Sequence, residues 1–370
     1  MTFDPKTSFT KALHHRQNHI DTGEPISVPI VPASTYKLPN IPEGDYQYGR
    51  VSNPTWDATE NIISMLENAP VVTFPSGMAA ISAVLLSILK PNDKLLIPSD
   101  GYYVTRVMAE KFLKPLGVIV QECSTLNIES QDFSQYRMVL LETPSNPKLD
   151  LCDLQKIAAK CQAANVLLVV DNTTMTPLGQ QPLDLGADIV VASDTKALNG
   201  HSDTLFGHVA SRNADIIENI REWRKITGAI VSPHDAWLVH RGLETLEIRF
   251  ERMCQNASFV ATQLSNYPVV SSVVYPGLTS HPAHQLAKTQ MQCFGSLIGV
   301  EFRNAHIAER FINECEFIVA ATSFGGIHTS AERRARWGDD VAEGYVRLSL
   351  GIEPTKILWS NMQAVLDDLS

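Results

Sequence analysis

Three short apolar runs constrain this chain most: Met138-Val139-Leu140-Leu141, Val166-Leu167-Leu168-Val169-Val170 and Ile189-Val190-Val191-Ala192. Each is continuous rather than alternating, so each calls for burial on both faces. Strands of that kind belong in a parallel sheet covered by helices. Helix-like segments Ala79–Leu89 and Leu151–Ala164 and strand-like segments Lys94–Ile97 and Val118–Gln121 complete the alternation. The pattern predicts an α/β domain with a large, mostly parallel sheet. Upstream, residues 1–55 are polar and carry Pro25, Pro29, Pro32, Pro39 and Pro54 with little helical periodicity. That composition predicts an extended arm, of the kind that lies on a neighbouring subunit, rather than a packed unit. Downstream, a long helical stretch over Trp237–Leu264 and strand-like Val269–Val274 and Leu297–Phe302 predict a smaller C-terminal α+β domain. The expected division is 1–55 arm, 56–235 large domain and 236–370 C-terminal domain.

Composition narrows the partners. With 370 residues, 44% of them hydrophobic and 19% charged, the chain can bury a substantial core. A formal net charge of -10 repels phosphate backbones and anionic lipid, so neither nucleic acid nor a membrane is the expected partner. Six cysteines are scattered without a CxxC pair or a metal-like Cys/His spacing, which reads as reduced thiols in a cytoplasmic protein with no structural metal. Small-molecule chemistry is what remains.

That chemistry centres on Lys196, in Ser193-Asp194-Thr195-Lys196-Ala197-Leu198-Asn199-Gly200-His201. Two hydroxyls flank it, an apolar run leads in and a Gly/Asn/His turn follows. An amine in such a pocket loses basicity and becomes a nucleophile toward a carbonyl, as a Schiff-base lysine must. A solvated loop lysine would read the same way locally. Three further segments end predicted strands, where α/β sheets hold their ligands. Ser76-Gly77-Met78 opens a helix whose Gly77 and Met78 amides suit a phosphate, or serves as a plain helix cap. Asp171, closing an apolar strand, suits a protonated ring nitrogen, or caps the next helix. Asn146, in Thr143-Pro144-Ser145-Asn146-Pro147, suits a ring hydroxyl, or turn chemistry alone.

In this order, the segments resemble the cysteine and methionine metabolism family of pyridoxal-phosphate-dependent enzymes, which includes cystathionine synthases, cystathionine lyases and methionine gamma-lyases. Tyr48-Gly49-Arg50-Val51-Ser52-Asn53-Pro54-Thr55 matches the family's Tyr-x-Arg-x-x-Asn-Pro-Thr, and Gly228–Pro233, Arg241–Leu246 and Tyr275–Leu278 look like further signatures. The resemblance spans nearly the whole chain and implies fold type I of the pyridoxal-phosphate-dependent transferases, the aspartate-aminotransferase-like fold. It implies pyridoxal 5'-phosphate as cofactor, held as an internal aldimine by Lys196, with Asp171 on the pyridine nitrogen and Tyr102 stacked on the ring as a possible acid for the leaving group. Phosphate would be bound by Gly77, Met78, Ser193 and Thr195, with Tyr48 and Arg50 from a neighbouring subunit. Arg347 would clamp the substrate α-carboxylate, assisted by Ser323 and Asn146. A homotetramer built as a dimer of dimers follows from the same resemblance.

Two departures bear on the substrate. Ser323-Phe324-Gly325-Gly326-Ile327-His328 carries His328 where many members have a glutamate, beside the charged run Glu332-Arg333-Arg334-Ala335-Arg336. That run reads either as a solvated loop or as positive charge for a distal carboxylate. Val104 replaces the cysteine of methionine gamma-lyases. The resemblance favours a lyase of the cystathionine gamma-lyase type, with cystathionine gamma-synthase and cystathionine beta-lyase as alternatives. A cofactor-binding regulatory protein would not need both an amine nucleophile and a carboxylate clamp, and an aminotransferase fits the Tyr-x-Arg arm less well.

Overall fold

The computed structural model describes residues 4–41 and 44–370. Among the described residues, twelve strands form two sheets. The first holds β1 (Val71–Phe74), β2 (Lys94–Pro98), β3 (Ile119–Cys123), β4 (Met138–Glu142), β5 (Leu167–Asp171), β6 (Ile189–Ala192) and β7 (Gly207–Ala210), in the order β1-β7-β6-β5-β4-β2-β3. Pairing is parallel from β3 through β6, and β7 runs antiparallel to both β6 and β1. The three apolar runs are therefore β4, β5 and β6, neighbours at the sheet's centre and buried along their length except at Leu167. Successive residues feed opposite faces: Val139, Leu141, Leu168, Val170 and Val190 enter one core with Trp56 and Leu66. Met138, Leu140, Val169, Ile189 and Val191 enter the other, with Val84, Leu85 and Ile220.

The second sheet holds β8 (Val270–Val274), β9 (Leu297–Phe302), β10 (Val319–Ala320), β11 (Ser330–Arg333) and β12 (Tyr345–Ser349), in the order β10-β11-β12-β9-β8. Its inner face, including Ile298, Val300, Val346 and Leu348, packs with Leu358, Met362 and Leu366 of the last helix, Thr355–Leu369. Among the described residues no helix is long and apolar enough to cross a membrane.

Three expectations are corrected. The first segment is not wholly extended: Pro5–His15 is a helix capped by the Asp4 carboxylate, and its Phe9 and Ala12 join the core that holds Trp56. Residues 330–333 are a strand with Glu332 inside, not a charged loop. The long helical stretch is two helices, Pro233–Leu243 and Leu246–Leu264, broken at Glu244–Thr245. The break has a purpose that hydrophobic period alone does not reveal. Gly242 lies so close to Asn199 that a Cβ there would sit 2.5 Å from the Asn199 carbonyl oxygen. The buried Arg249 guanidinium then donates to the carbonyls of Ala197, Leu198 and Gly242 at 2.9, 3.0 and 2.7 Å. One cation thereby ties the turn after Lys196 to the second helix.

Replacing Arg249 with Met removes these donors and leaves the Ala197 and Leu198 carbonyls without their partner, while Gly242 keeps the Thr245 amide; the loss should cost on the order of 3 kcal/mol. Denaturant unfolding of the variant is the check. A comparable change at the exposed Arg310, which pairs with Glu314 and Asp368, should barely move the midpoint.

Candidate active site

Parallel register brings the chemistry to one edge. Glu142 at the end of β4 lies opposite Asp171 at the end of β5, and Asp171 opposite Val191 of β6. The chain leaves β6 at Ala192 and reaches Lys196 within four residues. Asp171 is buried, and its Oδ1 accepts from the Thr173 amide at 3.0 Å and the Thr173 hydroxyl at 2.5 Å. Among the described residues none donates to Oδ2. Burial raises the Asp171 carboxyl, while the Thr173 donors and the His208 and Lys196 charges oppose it. Burial and the Asp171 charge beside it likewise raise the Glu142 carboxyl, well above the ordinary carboxylate range. Its Oε2 accepts from the Tyr102 amide at 2.7 Å. The Tyr102 ring, half in solvent, stands edge-on to Tyr103 with centroids 5.6 Å apart.

Lys196 is half-buried, with its Nζ 2.6 Å from the Ser323 Oγ and 5.1 Å from the centre of the Phe324 ring. Burial and the Arg347 charge lower its ammonium to about 8, against the pull of Asp171 and Glu332. Arg347 approaches the same ring, also at 5.1 Å, and donates to the Ser323 carbonyl at 2.8 Å and to Asn146 Oδ1 at 2.7 Å. Ser323 thus meets the amine with its hydroxyl and the guanidinium with its carbonyl. It does so at φ +78°, a strained conformation for a residue with a side chain. Gly325 wedges this loop against the Lys196 turn: its φ is +76°, and an added Cβ would lie 2.7 Å from the Ala197 nitrogen.

Glu332 completes the clamp, and sequence reasoning passed over it. It lies directly opposite Arg347 across β11 and β12, and its Oε2 accepts from Arg347 at 2.9 Å and from Arg334 at 2.6 Å. Arg334 is paired in turn with Asp339, and Arg333 with Glu309 and Glu343. The positive charge expected of residues 332–336 is therefore largely neutralised in place. Burial, with the Arg334 charge, lowers Arg347 to about 10.

The helix Gly77–Ile88 points its start at this edge. Its Ser76 cap takes the Ala79 amide at 3.1 Å, and the first backbone bond is made by Ala80, so Gly77 and Met78 carry the amides that precede the helical ladder. A Cβ on Gly77 would lie 2.6 Å from the Ser193 Cβ, so only glycine lets Ser193 reach the helix start. A phosphate fits that cradle. The Thr195 hydroxyl is engaged with Phe206, accepting its amide at 2.9 Å and facing its carbonyl at 3.2 Å, and would have to exchange that bond to meet a phosphate. Tyr48 and Arg50 are not brought to Lys196. Arg50 donates to the Lys225 carbonyl at 2.6 Å and lies over the half-exposed Tyr48 ring at 5.4 Å. A cleft of about 780 Å³ opens beyond Ser323 and Phe324, lined also by Thr195, Asp203, Asp235 and the exposed His328.

Beneath the turn lies a buried network that the sequence did not advertise. His208 on β7 bonds Asp194 through Nδ1 at 2.7 Å and Glu67 through Nε2 at 3.3 Å, and all three side chains are fully buried. Burial alone would lower this imidazole, but the two carboxylates outweigh it and hold it at about 10.

A nucleophilic amine of lowered basicity, an anion cradle, a buried acid and a guanidinium beside the amine are the groups that an enzyme acting on an amino acid through a phosphorylated aldehyde needs. The comparisons give that class its family. Residues 9–367 match the profile described as Cys/Met metabolism PLP-dependent enzyme, and the chain belongs to this family. A Streptomyces coelicolor protein provisionally named as a cystathionine gamma-lyase is 41% identical over 91% of this chain and 87% of its own. A cystathionine beta-lyase of Lactococcus lactis subsp. cremoris is 35% identical over 97% of this chain and 98% of its own. The cystathionine gamma synthase of Xanthomonas oryzae pv. oryzae, solved in complex with cystathionine, superposes with a TM-score of 0.93 at 31% identity, covering 100% of this chain and 99% of that one. The fold is thus that of the family, the cofactor is pyridoxal 5'-phosphate and the chain is a lyase of sulfur amino-acid metabolism.

The His208 pair has a definite pH signature. A group raised from 6.5 to about 10 on folding contributes stability that is fully present below 6.5 and is lost as pH rises through 10. The stability difference between the parent chain and His208→Gln should therefore shrink between pH 7 and 10. Denaturant melts of both proteins across that range measure it, and a constant difference would contradict a charged His208.

Proposed function

We propose that the chain is a cystathionine gamma-lyase, releasing cysteine, 2-oxobutanoate and ammonia from L-cystathionine. The observation that carries an amino-acid lyase is the shared Ser323–Phe324 seat, on which an amine and a carboxylate-binding guanidinium stand side by side. The 41% relative supports the gamma-lyase, and the Asp203 and Asp235 carboxylates lining the cleft suit a distal ammonium better than His328 alone would. Cystathionine gamma-synthase and cystathionine beta-lyase are the alternatives, favoured by the relatives named above.

When bound, pyridoxal phosphate supplies an electrophilic carbon and an electron sink for charge developing on the substrate. The chain's residues do the rest. Gly77 and Met78 amides with Ser193 hold the phosphate, and Thr195 joins them on releasing Phe206. Asp171, with its Oδ2 not engaged by Thr173, would hold the proton-bearing ring nitrogen. Arg347 takes the α-carboxylate on its planar fork, with Asn146 and Ser323 orienting it and Glu332 fixing its far edge. Lys196 Nζ, low in basicity, removes and redelivers protons at the substrate carbons. Tyr102 flanks the ring and serves the departing sulfur. Arg50, held by the Lys225 carbonyl, and the Tyr48 ring beneath it would reach the phosphate of a neighbouring copy, which makes the working unit a homo-oligomer, a tetramer in the family's arrangement. The arm 1–55, the large domain 56–235 and the C-terminal domain 236–370 divide these tasks, and six free thiols suit a cytoplasmic location.

Incubation of the holoenzyme with L-cystathionine should release 2-oxobutanoate with cysteine, read by mass spectrometry. Pyruvate with homocysteine would reassign the chain to the beta-lyase, and cystathionine formed only from an activated homoserine ester with cysteine to the synthase. Lys196→Ala should fold and lose at least about a thousandfold in turnover. Arg347→Lys should raise KM on the order of a hundredfold, because an ammonium cannot reproduce the bidentate fork. Arg50→Ala should loosen cofactor retention without unfolding the chain, and unchanged cofactor affinity would remove Arg50 from the site.

A further inference from the structure

Cys254 and Cys293 are 39 residues apart in sequence and have their sulfurs 3.3 Å apart, with the Cys254 thiol donating to the Cys293 sulfur. Both are free thiols. Cys254 is buried in the helix Leu246–Leu264, whereas Cys293 is half-buried and follows the helix His284–Gln290. Both line a cleft of about 390 Å³ together with Lys6, Glu247, Glu251 and Phe294. Neither touches Lys196, Asp171 or Arg347 among the described contacts, and the proposed chemistry uses neither.

We propose that Cys254 and Cys293 form a reversible redox site that takes up a small-molecule disulfide, of the amino-acid type, through this cleft. The two thiols are not equivalent. The Cys254 donor, the Gly295 amide and the Lys6 charge favour a thiolate on Cys293 against its partial burial, whereas Cys254 is held protonated as the donor. Cys293 is also the more exposed of the two, so it is the attacking sulfur. Its thiolate forms a bond to one sulfur of R–S–S–R, the R–S–S–R bond breaks, and R–S⁻ leaves and takes a proton from water. Cys254 then gives its proton to water and attacks the Cys293 sulfur, and the second R–S⁻ departs and is protonated. The sum is one protein dithiol oxidised to a disulfide and one small disulfide reduced to two thiols, a two-electron exchange that balances. The charges around the mouth, a lysine with two glutamates, suit a zwitterionic R group. A protein–protein disulfide needs sulfurs at about 2.05 Å, so closure asks for a shift of roughly an ångström in segment 291–295. That segment is anchored through the Gln292 amide to the Gly179 carbonyl at 2.8 Å. The bond would tie the helix that carries Arg249 to segment 291–295, and so to Gly179.

The test is to expose reduced holoenzyme to L-cystine, quench in acid, alkylate and map the peptides by mass spectrometry. Two of the six thiols should disappear, a Cys254–Cys293 cross-linked peptide should form, and dithiothreitol should restore both. Cys254→Ser should stop at a mixed disulfide on Cys293, and Cys293→Ser should leave Cys254 unmodified. Full alkylation of both residues after cystine treatment, or an adduct confined to Cys123, would overturn the proposal, as would equal modification of Cys254 in the Cys293→Ser variant. The readout is thiol chemistry rather than turnover, so it stands or falls independently of the substrate assignment.

Discussion

Two cations approach one aromatic ring, and much of the molecule serves to keep them there. Lys196 and Arg347 both lie 5.1 Å from the Phe324 ring, and the Arg347 charge adds to burial in lowering the affinity of Lys196 for its proton. Left alone, like charges at such range would separate. Three buried networks prevent it. Arg249 fixes the turn behind Lys196 by three carbonyls, Glu332 holds Arg347 from the neighbouring strand, and the Glu67–His208–Asp194 chain braces the β6–β7 side of the turn. Burial first and the Arg347 charge second lower the basicity of the amine and make it a nucleophile, so stability elsewhere is exchanged for reactivity here.

Acids are arranged with the same economy. Glu142 and Asp171 end adjacent parallel strands, and burial would neutralise both. The Thr173 donors fall on Asp171 alone, so the pair splits its roles: Glu142 orders the Tyr102 segment while Asp171 remains able to face a cationic ring. Sheet register, not local motif, sets that division.

Much of this was legible in the chain. The central strands were readable because β4, β5 and β6 are buried on both faces, which makes apolar continuity an unambiguous signal. Lys196, Asp171, Arg347 and Gly77 stood out because each lies inside an ordered set of motifs; Asp171 and Gly77 sit at element ends, whereas Arg347 is in the middle of β12. Other features were hidden for physical reasons. Glu332 looks like one member of a charged run, and only its cross-strand partner reveals it as interior. His208 lies in a four-residue strand, and its carboxylates come from 14 and 141 residues away, so no local pattern contains them. The break at Glu244–Thr245 falls between two helical segments of compatible period, and the close approach of Gly242 to Asn199 is a tertiary fact. Helix Pro5–His15 was masked by polar residues around only a few buried ones.

The central claim is that Lys196 is the amine that holds the aldehyde. Reduction of the holoenzyme with borohydride, followed by peptide mapping, tests it directly, because the reduced linkage marks the attached lysine permanently. The account predicts a single pyridoxyl label on the peptide containing Lys196, with the Lys196→Ala variant unlabelled there. A label on any other lysine of the parent protein would contradict it.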